Sequence, residues 1–288
     1  MSDRRTLLFC VLAALLLLSP GRFARAADDP KIPAAGATRM NPKDGAEMVY
    51  VPAGEFLMGS TDAEIDAAFR DASAHYKIVE KEWYTSQGPK RRVCLDGYWI
   101  YKNDVTVAQY RMFCQATGRQ MPDAPGWGWK DDHPIVRVTW ADARAYCDWA
   151  GAALPTEAQW EKAARGGDGR KYPWGNKWDP GKLWCSVGEE RTSTAPVGTY
   201  PAGASPYGAL DMAGNVCQWC ADWYNKDYYR NGVTNNPNGP ATGHFRVLRG
   251  GSWNDDDGLL FRSAFRRHGG PSPWLDGDGF RAVRADLN

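Results

Sequence analysis

Apolar residues are scattered along most of this chain, so the few places where they gather into a pattern carry most of the information. Met48-Val49-Tyr50-Val51-Pro52 is a short apolar run that turns at Ala53-Gly54, and it predicts a strand at the start of the fold. Farther on, Thr106 with Gln109, Thr139 with Asp142, and Thr156 with Gln159 each set a capping hydroxyl three residues ahead of a polar side chain. The first and third have the residues of a capping box proper, and each hydroxyl opens a segment with helical apolar spacing, giving two or three helices. The second closes near Gly151 and the third near Gly166-Gly167, where glycine can adopt the left-handed conformation. After residue 170 the texture changes to Gly, Pro, Asn and Trp with no long apolar run. Short strands and long ordered loops are expected there. Loops of that kind need anchors. The 14 tryptophans supply them, each an apolar body with one donor that can bury irregular backbone and still be satisfied.

The opposite pattern stands at the N-terminus, where Arg4-Arg5, the apolar run Leu7 to Leu18 and Ala24-Arg25-Ala26 have the layout of a secretory signal peptide, residues 1–26. The run is too short to span a bilayer, which takes about 20 residues, so no membrane span is expected after cleavage. Residues 27–45, rich in Ala, Pro, Asp and Lys, read as a flexible leader. Cleavage leaves 288 − 26 = 262 residues, which fits one large domain over 46–288. The formal charge of +1 with both signs scattered gives no basic face, and no nucleic-acid partner is expected.

Six cysteines remain after cleavage, at 94, 114, 147, 185, 217 and 220, in an export compartment where disulfides are allowed. Cys217-Gln218-Trp219-Cys220 has the spacing of half a zinc site or a redox pair, but no second pair accompanies it, and the histidines at 75, 133, 244 and 268 are far apart in sequence. An incidental or structural role fits better.

From Met48 onward an ordered set of phrases appears. It includes Val51-Pro52-Ala53-Gly54-Glu55-Phe56-Leu57-Met58-Gly59, Leu154-Pro155-Thr156-Glu157-Ala158-Gln159-Trp160-Glu161, Tyr172-Pro173-Trp174-Gly175-Asn176, Gly214-Asn215-Val216, Arg249-Gly250-Gly251-Ser252-Trp253 and Gly279-Phe280-Arg281. In this order they resemble the formylglycine-generating enzyme, or sulfatase-modifying factor, family. The resemblance implies an α+β, C-type-lectin-like fold with few regular elements and loops tied down by calcium. It also implies an oxidase that holds copper with two cysteines between the Gly-Gly-Ser-aromatic turn and an Arg-x-Ala-x-Arg motif. Here that stretch is Asn254-Asp255-Asp256-Asp257-Gly258-Leu259-Leu260-Phe261, followed by Arg262-Ser263-Ala264-Phe265-Arg266, and it has no cysteine. Cu(I) needs soft thiolates, so copper is not expected. The family's Gly-Asn-x-Trp-Glu-Trp has become Gly214-Asn215-Val216-Cys217-Gln218-Trp219, which also removes a tryptophan of the substrate groove.

Carried over residue by residue, a family disulfide is lost at both ends, Ala164 and Ser263. Cys147 has lost its expected partner to Ala282, leaving it a buried thiol or newly paired, with Cys114 the first partner to test. One family calcium site maps to Asp211, the carbonyls of Gly214 and Val216, and Gln218, an oxygen set suited to Ca²⁺. Calcium is therefore expected as a structural cofactor.

Together these features predict an exported binding domain for an unidentified protein or small molecule. Its candidate surface is the C-terminal stretch: Ser252, Trp253, Asn254, Asp255, Asp256, Asp257, Arg262, Arg266, His268 and Trp274. Aspartate runs also occur as plain solvated loops, and Arg262 and Arg266 could be internal ion-pair partners. The alternatives implied by the resemblance are a periplasmic oxidase using another site, of the sulfatase- or siderophore-maturation type, and a lectin-fold binding protein diversified in its last segment.

Overall fold

In the computed structural model, residues 32–75, 80–272 and 275–285 are described. In chain order the regular elements are β1 (Thr38–Met40), β2 (Glu47–Val51), β3 (Gly54–Met58), α1 (Asp62–His75), α2 (Glu82–Thr85), β4 (Arg91–Leu95), β5 (Tyr98–Tyr101), α3 (Val107–Thr117), α4 (Trp140–Trp149), α5 (Glu157–Arg165), β6 (Cys217–Trp223), α6 (Tyr228–Asn231), β7 (Arg246–Arg249), β8 (Arg267–Gly269), β9 (Asp278–Gly279) and β10 (Val283–Ala285). They form a sheet in the order β1-β2-β5-β10, the hairpin β3-β4, and a second four-stranded sheet in the order β8-β7-β6-β9. This is the expected α+β plan of short strands and long loops.

The apolar run in β2 is continuous because both of its faces are buried. Met48 and Tyr50 enter one core with Trp99, Tyr110, Phe113, Tyr146, Trp219 and Phe280. Val49 and Val51 enter a second with Phe56, Val93, Ile100, Trp160 and Val247. Side chains of a strand alternate sides, so one strand joins the two cores.

All three threonine starts form capping boxes, at the heads of α3, α4 and α5. Asp142, one methylene shorter than the usual partner, still accepts from Thr139 N at 3.1 Å. Gly151 follows α4 at φ 65° and Gly166 caps α5 at φ 68°, so both ends fall where the sequence predicts, but Gly166, at ψ −159°, is not in the left-handed helical conformation expected of it. The apolar pattern does not announce α1. That helix buries Ile65, Ala68 and Ala72, a narrow and mostly small-residue stripe that hardly registers as helical amphipathicity.

The ordered fold also starts earlier than the leader assignment of 27–45 allows. β1 pairs antiparallel with β2, Thr38 opposite Val49, and Asp44 is buried with Oδ2 accepting from the hydroxyls of Tyr101 (2.7 Å) and Tyr146 (2.5 Å). Alanine and proline content disguises a segment held by one buried carboxylate. The signal-peptide assignment, residues 1–26, lies outside the described residues.

The tryptophans anchor as the composition suggests. Indole nitrogens of Trp140, Trp184, Trp219 and Trp253 donate to the carbonyls of Cys220, Ser193, Val138 and Asp276 at 2.8–3.1 Å. Six cysteines, 94, 114, 147, 185, 217 and 220, are free. Cys114 and Cys147 share a core without bonding, and Cys114 Sγ donates to the carbonyl of Gln120.

Candidate functional site

The loop that leaves β7 is forced into shape by two glycines. Gly250 and Gly251 lie at φ 97° and 72°, and a Cβ on Gly251 would come within 2.6 Å of the Phe261 ring, so glycine is required there. The chain then turns through Ser252, whose N–H donates to Asp255 Oδ2 at 2.8 Å, while Asp255 N–H returns to the Ser252 carbonyl at 3.1 Å. Outside contacts fix the turn: Trp253 N–H to the Asn215 carbonyl and Ser186 N–H to the Asp255 carbonyl. Ser186 Oγ adds a bond to the Trp253 carbonyl at 2.9 Å. The Trp253 ring meets Trp127 edge-on at 5.4 Å between centroids. Irregular backbone is thereby held as firmly as a strand.

Beneath this turn lies a partly buried ionic cluster. Arg267 grips Asp255 with both ends of its fork, Nη2–Oδ1 at 2.8 Å and Nη1–Oδ2 at 3.0 Å, and also donates from Nη1 to Cys217 Sγ at 3.2 Å. Burial pushes the Cys217 thiol up to about 12, so it remains a neutral thiol and not a nucleophile or thiolate ligand. Asp278 pairs with Cys217 across β6 and β9. Burial, with Asp255 nearby and Arg267 opposing, pushes its carboxyl up to about 7.

Above the turn opens a polar cavity of about 630 Å³, lined among others by Glu189, Glu190, Arg191, Trp253, Asn254 and Asp256. Arg191 pairs with Glu189 at 3.0 Å and lies 3.9 Å over the Trp184 ring. Its charge is spent on Glu189 within the wall, while the Glu190 carboxylate also lines the cavity.

Of the ten residues the sequence nominated, five therefore converge: Ser252 and Asp255 frame the turn from below, and Trp253, Asn254 and Asp256 face the cavity. The rest do not join them. Asp257 Oδ1 caps the next turn by accepting Leu259 N–H at 2.8 Å. Arg266 is an internal residue, not a surface one. It binds Glu157 through Nε at 2.7 Å and Nη2 at 2.8 Å and donates to the Ser86 and Asn225 carbonyls. Arg262 is also buried, 5 % exposed, and points to a different cavity. His268 is exposed on β8, between the rings of Tyr224 and Phe245 at 4.1 and 4.9 Å, in a separate depression shared with Trp83 and Lys226. Trp274 lies outside the described residues. Sequence reading misses Arg191 and the pairing of Arg267 with Asp255. Neither motif nor spacing marks them, because contacts between separate loops make the site.

The nominated calcium ligands need a correction at Gln218. Its Oε1 accepts from Trp160 Nε1 at 2.6 Å and Arg281 Nε at 2.7 Å, while Nε2 donates to the Asp211 carbonyl at 2.7 Å. Two donors against the oxygen fix the amide's orientation. The positive end of the amide, not its oxygen, thus faces Asp211, and Asp211 Oδ2 accepts Gly198 N–H at 2.7 Å. Gln218 does not fit as a calcium ligand beside Asp211, Gly214 and Val216, because its oxygen is already taken by Trp160 and Arg281. If calcium binds at no other place in the fold, excess chelator is expected to leave the melting temperature unchanged. A fall of several degrees, the mark of an ion bound only by the folded state, that is unaffected by Gln218→Leu would place the ion elsewhere, and one abolished by it would overturn that geometry.

Cys217 and Cys220 do not rebuild a copper, zinc or redox site. Three residues apart on β6, they point to opposite faces, Cys217 into one core and Cys220 into the other. Among the described residues no group of three or more His, Cys, Asp or Glu side chains is placed to hold a metal ion.

The sulfatase-modifying factor enzyme 1-like domain model matches residues 34–286. The formylglycine-generating enzyme of Streptomyces coelicolor is 34 % identical, over 92 % of this chain and 98 % of its own. Among solved structures, PvdO from Pseudomonas aeruginosa superposes with a TM-score of 0.73 at 24 % identity, covering 88 % of this chain and all of that one. Treponema denticola variable protein 1 superposes with a TM-score of 0.64 at 20 % identity, over 86 % and 98 %. At those identities the two structures share the fold alone. With the phrase order, the fold and the domain match in agreement, the chain belongs to the formylglycine-generating enzyme (sulfatase-modifying factor) family.

Proposed function

We propose that this chain is an exported binding member of its family and not a copper-dependent formylglycine oxidase. Its ligand would be a polar small molecule or protein segment carrying positive charge, held in the acidic cavity above the Ser252–Asp256 turn. One observation carries the reading. The stretch 254–261, where the resemblance places an oxidase's thiolates, has no cysteine, and its Asp255 carboxylate is already saturated by the Arg267 guanidinium and the Ser252 N–H. A saturated ion pair fixes a loop but offers no ligand to Cu(I). Glu190 on the rim then supplies the attraction, with Trp253 as a flat wall.

Export is supported by Arg4-Arg5, the Leu7 to Leu18 run and Ala24-Arg25-Ala26. Among the described residues no helix is long and apolar enough to cross a membrane. Six free cysteines are compatible with an oxidising compartment, because five of them are buried and buried thiols are inert.

The test has two arms on the intact protein. Cu(I) titration with a sulfatase-motif peptide is expected to give no two-thiolate binding and no aldehyde; aldehyde production would overturn the reading. In the second arm a lysine-rich peptide is expected to quench tryptophan fluorescence and an acidic one to leave it unchanged. Glu190→Gln should weaken the basic peptide by about tenfold, the scale of 1.4 kcal/mol.

A further inference from the structure

We propose that Arg262 is the recognition group of a second site, one that binds a small aromatic carboxylate. Arg262 is only 5 % exposed, yet it forms no ion pair and no side-chain hydrogen bond among the described residues, and its Nη1 is buried without a partner. Every other deeply buried arginine is matched: Arg249 and Arg266 with Glu157, Arg165 with Glu161, Arg281 with Asp104. A buried guanidinium without a counter-ion is far costlier than a paired one, so its anion is to be sought in the space it faces. That space is a cavity of about 470 Å³ between α1 and the loops carrying Tyr172 and Trp178.

The cavity's own acids do not neutralise it. Glu64 is taken by Lys90 at 2.6 Å and by Thr61 N–H at 2.8 Å, and Asp71 stands 3.8 Å from His75 on the exposed side of α1. Lys171 and Asn176 add polar groups to the lining, Lys171 a second positive charge beside Arg262, and the rest of the wall is apolar and largely planar. Leu259 lines the cavity, and its aromatic rings are backed by others: Trp178 stacks on Phe261 at 5.8 Å and Tyr172 on Trp174 at 5.2 Å. A guanidinium fork matches a carboxylate bidentately, while rigid rings favour a flat apolar body. The size falls within the range of small-molecule pockets. This site is built from different elements than the acidic cavity above the Ser252 turn, so either can fail without the other.

The probe is 1-naphthoate, with 1-naphthamide as its uncharged counterpart, added to the whole protein at constant ionic strength and read by melting temperature and tryptophan fluorescence. The carboxylate is expected to raise the melting temperature by about 5–10 °C at about 100 times its Kd, and the amide to do nothing. Arg262→Leu should abolish the response while melting no lower than the parent, since it removes an uncompensated charge. Leu259→Trp, which fills the cavity and leaves the charge in place, should abolish it too. No response at millimolar naphthoate overturns the proposal. So does an equal response to the amide, or a response that survives either substitution.

Discussion

Glu157→Ala is expected to be among the most damaging single changes in the domain, costing about 3–5 kcal/mol, because it strips a buried ionic network of its shared anion. Glu157, the first residue of α5, is 2 % exposed. Its carboxylate takes Arg249 Nη1 at 2.9 Å and Arg266 through Nε and Nη2 at 2.7 and 2.8 Å. After the substitution Arg249 keeps Glu161 at 2.7 Å, but Arg266 is left with no paired carboxylate, only the Ser86 and Asn225 carbonyls and the faces of Tyr224 and Tyr229. For a domain this size the melting temperature should fall by roughly 10 °C, at about 2–4 °C per kcal/mol. Removing the stranded charge as well should recover much of the loss, since a well-packed apolar pair can replace a buried ion pair. Urea unfolding of Glu157→Ala, and of Glu157→Leu combined with Arg266→Met, checks both halves. A single-mutant loss under about 1 kcal/mol, well below the cost of breaking a buried pair, or no recovery in the double mutant, would show that the network is not electrostatically closed.

The network also shows where sequence reading succeeds and where it stops. Thr156, Gln159 and Gly166 state the limits of α5 locally, because capping is a matter of three or four neighbouring residues, and those limits are found as read. The two-faced burial of β2 is foreshadowed by its unbroken apolar run. Arg266, by contrast, looks like any loop arginine in the sequence. Its partner lies 109 residues away, and only folding brings them together. The same holds for the functional surface. Ser252 to Asp256 are legible because a glycine pair and a family phrase mark the turn. Arg191, the pairing of Arg267 with Asp255 and the cavity facing Arg262 are not, because separate loops build them. Gln218 is the instructive intermediate case. Sequence correctly marks the position as special, but which end of its amide faces Asp211 is decided by Trp160 and Arg281, distant residues that both donate to the oxygen.

Asp278→Asn should stabilise the protein strongly at pH 8 and hardly at all at pH 4. The Asp278 carboxyl is 6 % exposed, and burial, aided by the Asp255 charge and opposed by Arg267, raises its pKa from the ordinary carboxylate range to about 7. The sign follows from proton counting. Between about pH 4 and pH 7 the folded state holds this proton and the unfolded state has released it, so stability falls as pH rises, by about 1.4 kcal/mol per pH unit at most. Below the unfolded pKa the full contribution is present, and above 7 it is gone, with the folded state then carrying a buried charge. Asp222, also raised to about 7 by burial and the neighbouring Glu157 charge, adds a second step of the same sign. Glu157, whose burial is outweighed by Arg266 and Arg249 so that its pKa is lowered, contributes one of opposite sign at lower pH. Asparagine reproduces the shape of the protonated acid without titrating. The variant should therefore lie close to the parent at pH 4 and exceed it by about 2–4 kcal/mol at pH 8. The upper figure belongs to a carboxyl that rises from about 4 to about 7 on folding, at about 1.4 kcal/mol for each tenfold change in acidity. Urea unfolding at half-unit intervals from pH 4 to pH 8 reads the divergence directly. Parallel curves would mean that Arg267 keeps Asp278 ionised throughout, and that the cluster under the Ser252 turn is a three-membered salt bridge and not an ion pair beside a neutral acid.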